Sequence, residues 1–364
     1  MNPLEFTGRL PLCLDADITS ECWNFYRMAI VNAYPEQDFC LANRLNHIYM
    51  DRSREIHYGF SMDKENPYRT YEPVLETQIQ PLRDLPDAAS FVEFAYTCLR
   101  EGTYPLFECD YHLLLGSTEE TEGELGLHEV LLYGAEEGQF LFPWLKNGRW
   151  REHRAPVQTV AAAFLRRRNT PREWEEDNFW RRNYLAPYMV LKVRKETRPR
   201  INPYDFYRDI GLILQACCLE NRLVQEGSLP FGREFSGVLA VYNGMLELTE
   251  EIRDGRFDVR KEEFSLPLNA KRLYEYARLF TKHVRLLDQC RFFEVPCAVY
   301  EKLQDLIGKN QRVYLLSIKY LRTGERKDIE QMREFLYFAF GVHVEALKTL
   351  QEAMRTQLID SWRP

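Results

Sequence analysis

Hydrophobic and polar positions follow different patterns in the two parts of the chain. Before Pro203, runs rich in aromatic and β-branched residues alternate with amphipathic runs, and glycines and prolines separate them. After Pro203, hydrophobic residues recur at spacings of three and four, which is typical of amphipathic helices. The sequence therefore predicts an α+β domain over residues 1–200 and an all-α helical bundle over residues 201–364.

Three hydrophobic runs between Gly102 and Trp150 predict successive strands. The runs are TYPLFECDYHLLLG, LHEVLLYG and QFLFPWL, and glycines separate them. Short runs bounded in this way favour an antiparallel meander. His128 opens the middle strand, where it can present a ring nitrogen to a cleft. The alternative is a half-exposed histidine without a function.

Amphipathic helices flank these predicted strands. Helical spacing follows Cys22, with Thr19 or Ser20 as the expected cap, and it returns over residues 87–101, with Asp87 as the cap. A further helix is predicted in VQTVAAAFLRR. The five helices predicted for the bundle span residues 204–225, 235–253, 268–289, 296–322 and 326–358.

Composition and charge exclude several classes of protein. The chain has no apolar run of membrane-span length and no secretory signal pattern at its start, so a cytoplasmic location is expected. Its formal net charge of −7 argues against general nucleic-acid binding. Nine scattered cysteines without a CxxC pair predict reduced thiols, with no metal site. No nucleotide-binding glycine motif occurs, and no bound cofactor is expected.

Cys22 is the best candidate for a reactive cysteine. It falls in the first turn of a predicted helix, where the helix dipole and the backbone N–H groups favour a thiolate. A buried structural cysteine is the alternative.

A second group of polar residues follows the first predicted strand of the meander. It consists of Cys109, Asp110, Tyr111 and His112. Strand alternation puts Asp110 and His112 on one face, so His112 is an alternative to His128 as the working imidazole.

The order of these elements resembles a known family. The matching segments are ECWNFYRMAIV, LREGTYPLFECDYHLL, LHEVLLYGAEEGQFLF with APVQTVAAAF behind it, and helical segments such as FSGVLAVYNGMLELTEEIRDG and HVEALKTLQEAM. Together they resemble the butirosin-biosynthesis acyltransferase family, whose N-terminal domain is similar to papain-like peptidases that trim bacteriocin leaders. The resemblance covers most of the chain and implies a papain-like N-terminal domain followed by a helical region.

The resemblance also implies a function. Members of this family occur beside nonribosomal peptide and polyketide assembly lines, which implies acyl transfer from a carrier-protein thioester, or formation or cleavage of an amide. Cys22 would be the nucleophile and His128 its base. The partners would be an acyl or peptidyl carrier protein, whose phosphopantetheine arm delivers the substrate, and a small-molecule amine or peptide.

One part of the family pattern is missing. The strand after the histidine usually carries an Asp or Asn that orients the imidazole, but the chain has Gln139 to Trp144 there, without an acid. Asp110 and Asn147 are possible replacements. The missing acid keeps a second hypothesis open, in which a catalytically inactive relative serves as a binding or docking protein. A true peptidase is a third possibility.

A basic segment suggests how a carrier protein would dock. Residues 166–200 contain eleven Lys or Arg against five Asp or Glu. Carrier proteins are generally acidic, so this segment is expected to steer one towards Cys22. A solvated basic surface is the alternative. The predicted docking residues are Arg166, Arg167, Arg168, Arg181 and Arg182.

Overall fold

The chain forms two compact units, one of Met1–Asp38 with Glu65–Arg198 and the other of Phe39–Lys64 with Pro199–Pro364. The computed structural model describes residues 6–42, 44–51, 53–58, 70–116, 126–146, 148–169, 188–194, 201–214, 217–219, 234–258, 265–290 and 293–359. Over these ranges the protein is mixed α/β, with ten α-helices and three four-stranded sheets, and its C-terminal part is helical.

The elements are numbered in chain order. They are β1 (Gly8–Arg9), α1 (Cys22–Val31), α2 (Asp38–Leu41), β2 (Ile48–Met50), β3 (Ile56–Tyr58), β4 (Leu75–Ile79), α3 (Ala88–Arg100), β5 (Tyr104–Asp110), α4 (Tyr111–Leu115), β6 (Leu127–Leu131), β7 (Gly134–Glu136), β8 (Gln139–Lys146), β9 (Arg149–Pro156), α5 (Val157–Arg168), β10 (Tyr188–Val193), α6 (Pro203–Leu214), β11 (Cys217–Leu219), β12 (Glu234–Ser236), α7 (Val238–Arg253), α8 (Ser265–Gln289), α9 (Cys297–Thr323) and α10 (Arg326–Met354).

Two antiparallel sheets form the strand framework of the first unit. Their strand orders are β4-β10-β5-β6 and β1-β7-β8-β9. The prediction of one three-stranded meander is therefore wrong, because β6 pairs with β5 while β8 pairs with β7 and β9. The first predicted strand is also shorter than expected. Asp110 caps the short helix α4 by accepting a hydrogen bond from the backbone N–H of His112, so Tyr111–Leu115 is helical.

Aromatic side chains fill the space between α3, α5 and the sheet that contains β5. Phe91 stacks on Phe164 with ring centroids 4.4 Å apart, and both rings meet Phe107 edge to face. Tyr188 on β10 stacks on Phe107 at 5.6 Å. All four side chains are buried, so the core fixes β5, and with it the neighbouring strand β6.

Trp150 on β9 fixes the start of α1. Its ring stacks on Phe25 with centroids 3.8 Å apart, and its indole N–H donates to the backbone carbonyl of Thr19 at 3.0 Å. The N-cap residue is Glu21, whose side chain makes no capping hydrogen bond, rather than the predicted Thr19 or Ser20. Packing against β9 therefore fixes this end of α1, although the sequence predicted that a capping side chain would do so.

The predicted cap of the next helix is confirmed. Asp87 accepts a hydrogen bond from the backbone N–H of Ser90, and the Ser90 hydroxyl accepts one in return from the Asp87 N–H. Gly102 follows the last turn with φ of +75°, a backbone conformation that favours glycine. Both ends of α3 therefore follow from local sequence.

The second unit contains a short hairpin besides its helices. Strands β2 and β3 join β12 and β11 in the third sheet, so Phe39–Lys64 belongs to this unit rather than to the predicted first domain. The reason is pairing with α8: Asn269 accepts the backbone N–H of Ile56, and Arg272 donates to the carbonyl of the same residue. Local sequence carries no sign of these contacts.

Four of the five predicted bundle helices have nearly the expected bounds, and α6 ends early, at Leu214. None of the described helices combines the length and the hydropathy that a membrane crossing requires.

His343 is fully buried in α10, where its ring packs near aromatic rings. The centroids of Tyr276 and Phe280 each lie 5.9 Å from that of His343. Burial lowers the pKa of His343 to about 3. His343 is therefore neutral in the folded protein near neutral pH.

We expect this burial to make the second unit sensitive to acid. An unfolded histidine takes up a proton below about pH 6.5, whereas folded His343 stays neutral down to about pH 3. Folding stability should therefore fall across this window, by about 1.4 kcal/mol per pH unit. His343→Phe removes that loss, so its melting temperature should fall less than that of the wild type between pH 7 and pH 4.5. Equal falls in melting temperature for His343→Phe and the wild type would contradict the conclusion that folded His343 stays neutral.

Candidate functional site

The structure brings Cys22 and His128 together. Cys22 is the first residue of α1, His128 is the second residue of β6, and the Cys22 Sγ lies 3.6 Å from the His128 Nε2. Both side chains are half-buried. The proximity that the sequence predicts is confirmed, and the distance is within reach of a hydrogen bond that involves sulfur.

The position of Cys22 at the start of α1 favours negative charge on its sulfur. Backbone N–H groups at a helix start point away from the helix, and the helix dipole adds a partial positive charge there. The thiol therefore faces a basic nitrogen on one side and the positive end of a helix on the other. This combination is typical of reactive cysteines.

The hydrogen bond of the second ring nitrogen shows which nitrogen of His128 carries the proton. The Nδ1 atom lies 2.7 Å from the backbone carbonyl oxygen of Glu129, which can only accept a hydrogen bond. Nδ1 therefore carries a proton, and in the neutral ring Nε2 holds the lone pair that faces Cys22. The thiol can donate its hydrogen to this nitrogen, so His128 is arranged as a base.

The Glu129 carbonyl accepts a second hydrogen bond. The hydroxyl of Tyr26, on α1, donates to it at 2.6 Å. Neither group was predicted from the sequence. The spacing of four between Cys22 and Tyr26 was a usable signal, because it puts the two residues on one helical face, whereas a backbone carbonyl leaves no trace in residue identity.

The surroundings of His128 keep its ring neutral. Burial lowers the pKa of His128 below its usual 6.5, although the hydrogen bond to the Glu129 carbonyl acts in the opposite direction. The Trp144 ring lies against the imidazole, with centroids 4.7 Å apart. At pH 7 the His128 imidazole is therefore neutral.

Asp110 does not orient the imidazole. It is fully buried, and its described partners are the His112 backbone N–H at 3.2 Å and the Arg166 guanidinium at 2.9 Å. Its role is to cap α4 and to anchor the end of α5. The other predicted replacement, Asn147, lies outside the described residues. The described partner of the His128 Nδ1 is the Glu129 carbonyl instead.

His112 lies apart from the thiol of Cys22. Its ring packs on Tyr111, with centroids 4.2 Å apart, and it approaches the Gly126 backbone so closely that a Cβ there would overlap it. The described contacts of His112 do not include Cys22. The geometry therefore favours His128 over His112 as the imidazole that serves the cysteine.

The predicted docking arginines occupy different environments. Arg166 is exposed, although it pairs with Asp110, and Arg168 is half-buried. Arg167 is buried, with its side chain only 6% exposed, and it pairs with Glu108 at 2.8 Å. A buried arginine cannot meet a partner at the surface, so its role is structural. Arg181 and Arg182 lie outside the described residues.

Within the described ranges, no group of three or more His, Cys, Asp or Glu side chains is arranged to hold a metal ion.

Comparison with known proteins adds no family. No protein-family model matches the chain, and no curated protein matches it.

We expect iodoacetamide to distinguish Cys22 from other thiols. An exposed thiol reacts through its thiolate, so its labelling slows about tenfold per pH unit in acid. Cys22 has a neutral base in contact, and its labelling should hold as the pH falls through 6.5 and decline only below the lowered pKa of His128. Labelling is followed by peptide mass spectrometry.

Cys297 is a matched control for this experiment. It is exposed and is also the first residue of a helix, α9. If Cys22 and Cys297 lost reactivity in parallel, the helix terminus rather than His128 would explain the reactivity of Cys22. His128→Gln should bring the two profiles together.

Proposed function

We propose that the protein is a cysteine-dependent acyltransferase that acts on an acyl or peptidyl thioester delivered by a carrier protein. The observation that carries this proposal is the 3.6 Å approach of the Cys22 Sγ to the His128 Nε2 at the start of a helix. Nucleophile and base within hydrogen-bond reach, with the base held by a third group, are the usual arrangement for covalent catalysis.

In the first half of the reaction, Cys22 accepts the acyl group. His128 Nε2 takes the thiol proton as the Cys22 Sγ attacks the thioester carbonyl carbon. The tetrahedral intermediate then collapses, and the bond between the carbonyl carbon and the carrier sulfur breaks. His128 returns its proton to the departing thiolate, which leaves a free carrier thiol and an acyl-enzyme.

In the second half, an amine accepts the acyl group. The amine nitrogen attacks the acyl-enzyme, His128 Nε2 removes a proton from it, and the bond to the Cys22 Sγ breaks. The same proton then restores the Cys22 thiol. The net change converts a thioester and an amine into an amide and a thiol, without an oxidant or a metal ion.

The start of α1 supplies the other element of this chemistry. In both halves the oxyanion forms on the carbonyl group bonded to the Cys22 sulfur, and Cys22 is the first residue of α1, where unpaired backbone N–H groups are available as donors. A preorganised donor at such a position contributes roughly 3 kcal/mol to transition-state stabilisation. The dipole of α1 adds a favourable field of the same sign.

The fold class is part of the proposal. A helix that begins with the nucleophile and a neighbouring strand that carries the base form the arrangement of papain-like enzymes, which the sequence resembles. We therefore assign Met1–Asp38 with Glu65–Arg198 to a papain-like domain. A cytoplasmic location fits this chemistry, since a reducing compartment keeps Cys22 as a thiol.

A second candidate function is a binding or docking protein with the same fold but without catalysis. The observation that favours it is the commitment of Asp110 to Arg166 and to helix α4, so that no carboxylate among the described residues contacts the imidazole. In other cysteine and serine enzymes, the third group contributes strongly to the rate. The two candidates differ in whether Cys22 becomes acylated.

Cys22→Ala should abolish acylation by a small acyl thioester while leaving the melting temperature nearly unchanged, because Cys22 is half-buried. His128→Gln should slow acylation by about two orders of magnitude, which is typical of the loss of a general base. Intact-protein mass spectrometry measures the acyl adduct. An unmodified wild-type protein after incubation with several thioesters would favour the docking protein.

The proposed carrier docks beside the strand end that holds His128. Asp110, the partner of Arg166, pairs in register with Leu127, the neighbour of His128. Arg166, the exposed cation near the end of α5, therefore lies close to the site, and opposite charge would speed the encounter with an acidic carrier. The docking set consists of Arg166 and Arg168, together with Arg181 and Arg182 outside the described residues.

Arg168→Glu should slow acylation by a carrier-bound thioester several-fold at low ionic strength, because it reverses a charge in this set. The effect should shrink at high salt, and a small free thioester should react normally. Arg83→Glu is the matched control, since Arg83 is 86% exposed and follows β4, at the sheet edge opposite β6. Equal losses with both substrates would assign Arg168 to the fold or to the chemistry.

A further inference from the structure

We infer that Tyr26 is a positioning residue for His128. Its hydroxyl fixes the backbone carbonyl of Glu129, and this carbonyl orients the imidazole in place of the missing acid. The inference rests on the proposed function, because it concerns the base of the same reaction.

Two hydrogen bonds meet at one atom. The carbonyl oxygen of Glu129 accepts from the Tyr26 hydroxyl at 2.6 Å and from the His128 Nδ1 at 2.7 Å. A carbonyl oxygen has two lone pairs, so both bonds can form at once. On the other side of the ring, Nε2 lies 3.6 Å from the Cys22 sulfur.

Tyr26 is a donor at every pH at which the reaction can proceed. The side chain is fully buried. Burial raises the pKa of Tyr26 well above its usual 10, and the nearby Cys22 and Glu129 act in the same direction. The hydroxyl therefore keeps its hydrogen, and the buried carbonyl keeps its second partner.

Helix α1 carries both ends of this arrangement. Tyr26 follows Cys22 by four residues, which places the two side chains one above the other on a single helical face. The edge of the Tyr26 ring packs against Trp150, with centroids 5.6 Å apart. A shift of α1 would move the Cys22 sulfur and the Tyr26 hydroxyl together, so their relative positions would be kept.

The carbonyl performs part of the work of a carboxylate. It selects the ring form in which Nδ1 holds the proton and Nε2 is free to accept the thiol hydrogen. Its partial negative charge also favours the imidazolium that forms when His128 takes that proton, although less than a full charge would. Without Tyr26, the peptide group of Glu129 loses one of the two bonds that hold its carbonyl.

The test compares two tyrosine variants of the full-length protein. Tyr26→Phe removes the hydroxyl under study. Tyr104→Phe is the matched control, because Tyr104 is also fully buried and donates to a backbone carbonyl, that of Pro11, at 2.6 Å. Each variant loses a hydrogen bond from a buried tyrosine to a backbone carbonyl, and Tyr104→Phe also loses the 3.5 Å contact with the Tyr34 hydroxyl, so both melting temperatures should fall.

Two measurements separate positioning from stability. In Tyr26→Phe, kcat for acylation by a small thioester should fall about tenfold with KM unchanged, whereas Tyr104→Phe should remain within twofold of the wild type. Nitrogen-15 NMR of labelled histidine, with the His128 signals assigned from His128→Gln, should show a protonated Nδ1 in the wild type. In Tyr26→Phe a fraction of the rings should carry the proton on Nε2 instead.

The inference would be overturned if Tyr26→Phe matched Tyr104→Phe in both kcat and the His128 nitrogen signals. Failure of the proposed function looks different, since the wild type would then form no acyl adduct. In that case the nitrogen signals still decide whether Tyr26 sets the proton position on His128.

Discussion

The two hydrogen bonds at the Glu129 carbonyl are the constraint on which the candidate site depends. One comes from a helix side chain and the other from the imidazole, so a single oxygen fixes the ring of His128 relative to α1. The contacts of Trp150 with Phe25 and Thr19 hold the start of the same helix. Packing of α1 and the hydrogen bonds at the Glu129 carbonyl thus keep the thiol within 3.6 Å of the imidazole.

Two carboxylates near the site form ion pairs with arginines of α5 and do not contact the imidazole. Glu108 pairs with the buried Arg167, and Asp110 pairs with Arg166 while it caps α4. A buried carboxylate without its partner costs several kcal/mol, so these acids are held in place by the ions opposite them. A free acid beside His128 would also raise the imidazole pKa and favour a thiolate–imidazolium pair. No such contact occurs among the described residues, and burial lowers the pKa of His128.

Local signals in the sequence predicted the chemistry of single elements better than the pairing between them. Cys22 and His128 were identifiable because each stands at the start of an element, and Asp87 because a capping box is a short-range pattern. The split of the strands into two sheets was not predictable, since β6 and β8 have similar patterns and differ only in their partners. The hairpin in Phe39–Lys64 joins the second unit through Asn269 and Arg272, more than 200 residues away.

For the proposed acyltransferase, the neutral state of His128 bears on the choice between transfer and hydrolysis. A neutral imidazole that receives a proton only as the sulfur attacks is a base in both halves of the reaction, and it needs an acceptor whose proton it can remove. Water and an amine both meet this requirement. The Trp144 ring lies against the imidazole, with centroids 4.7 Å apart, and exclusion of water from a site strengthens the electrostatic interactions within it. In the proposed reaction, an amine held by its own substituents would compete best against water where such packing limits access to the imidazole.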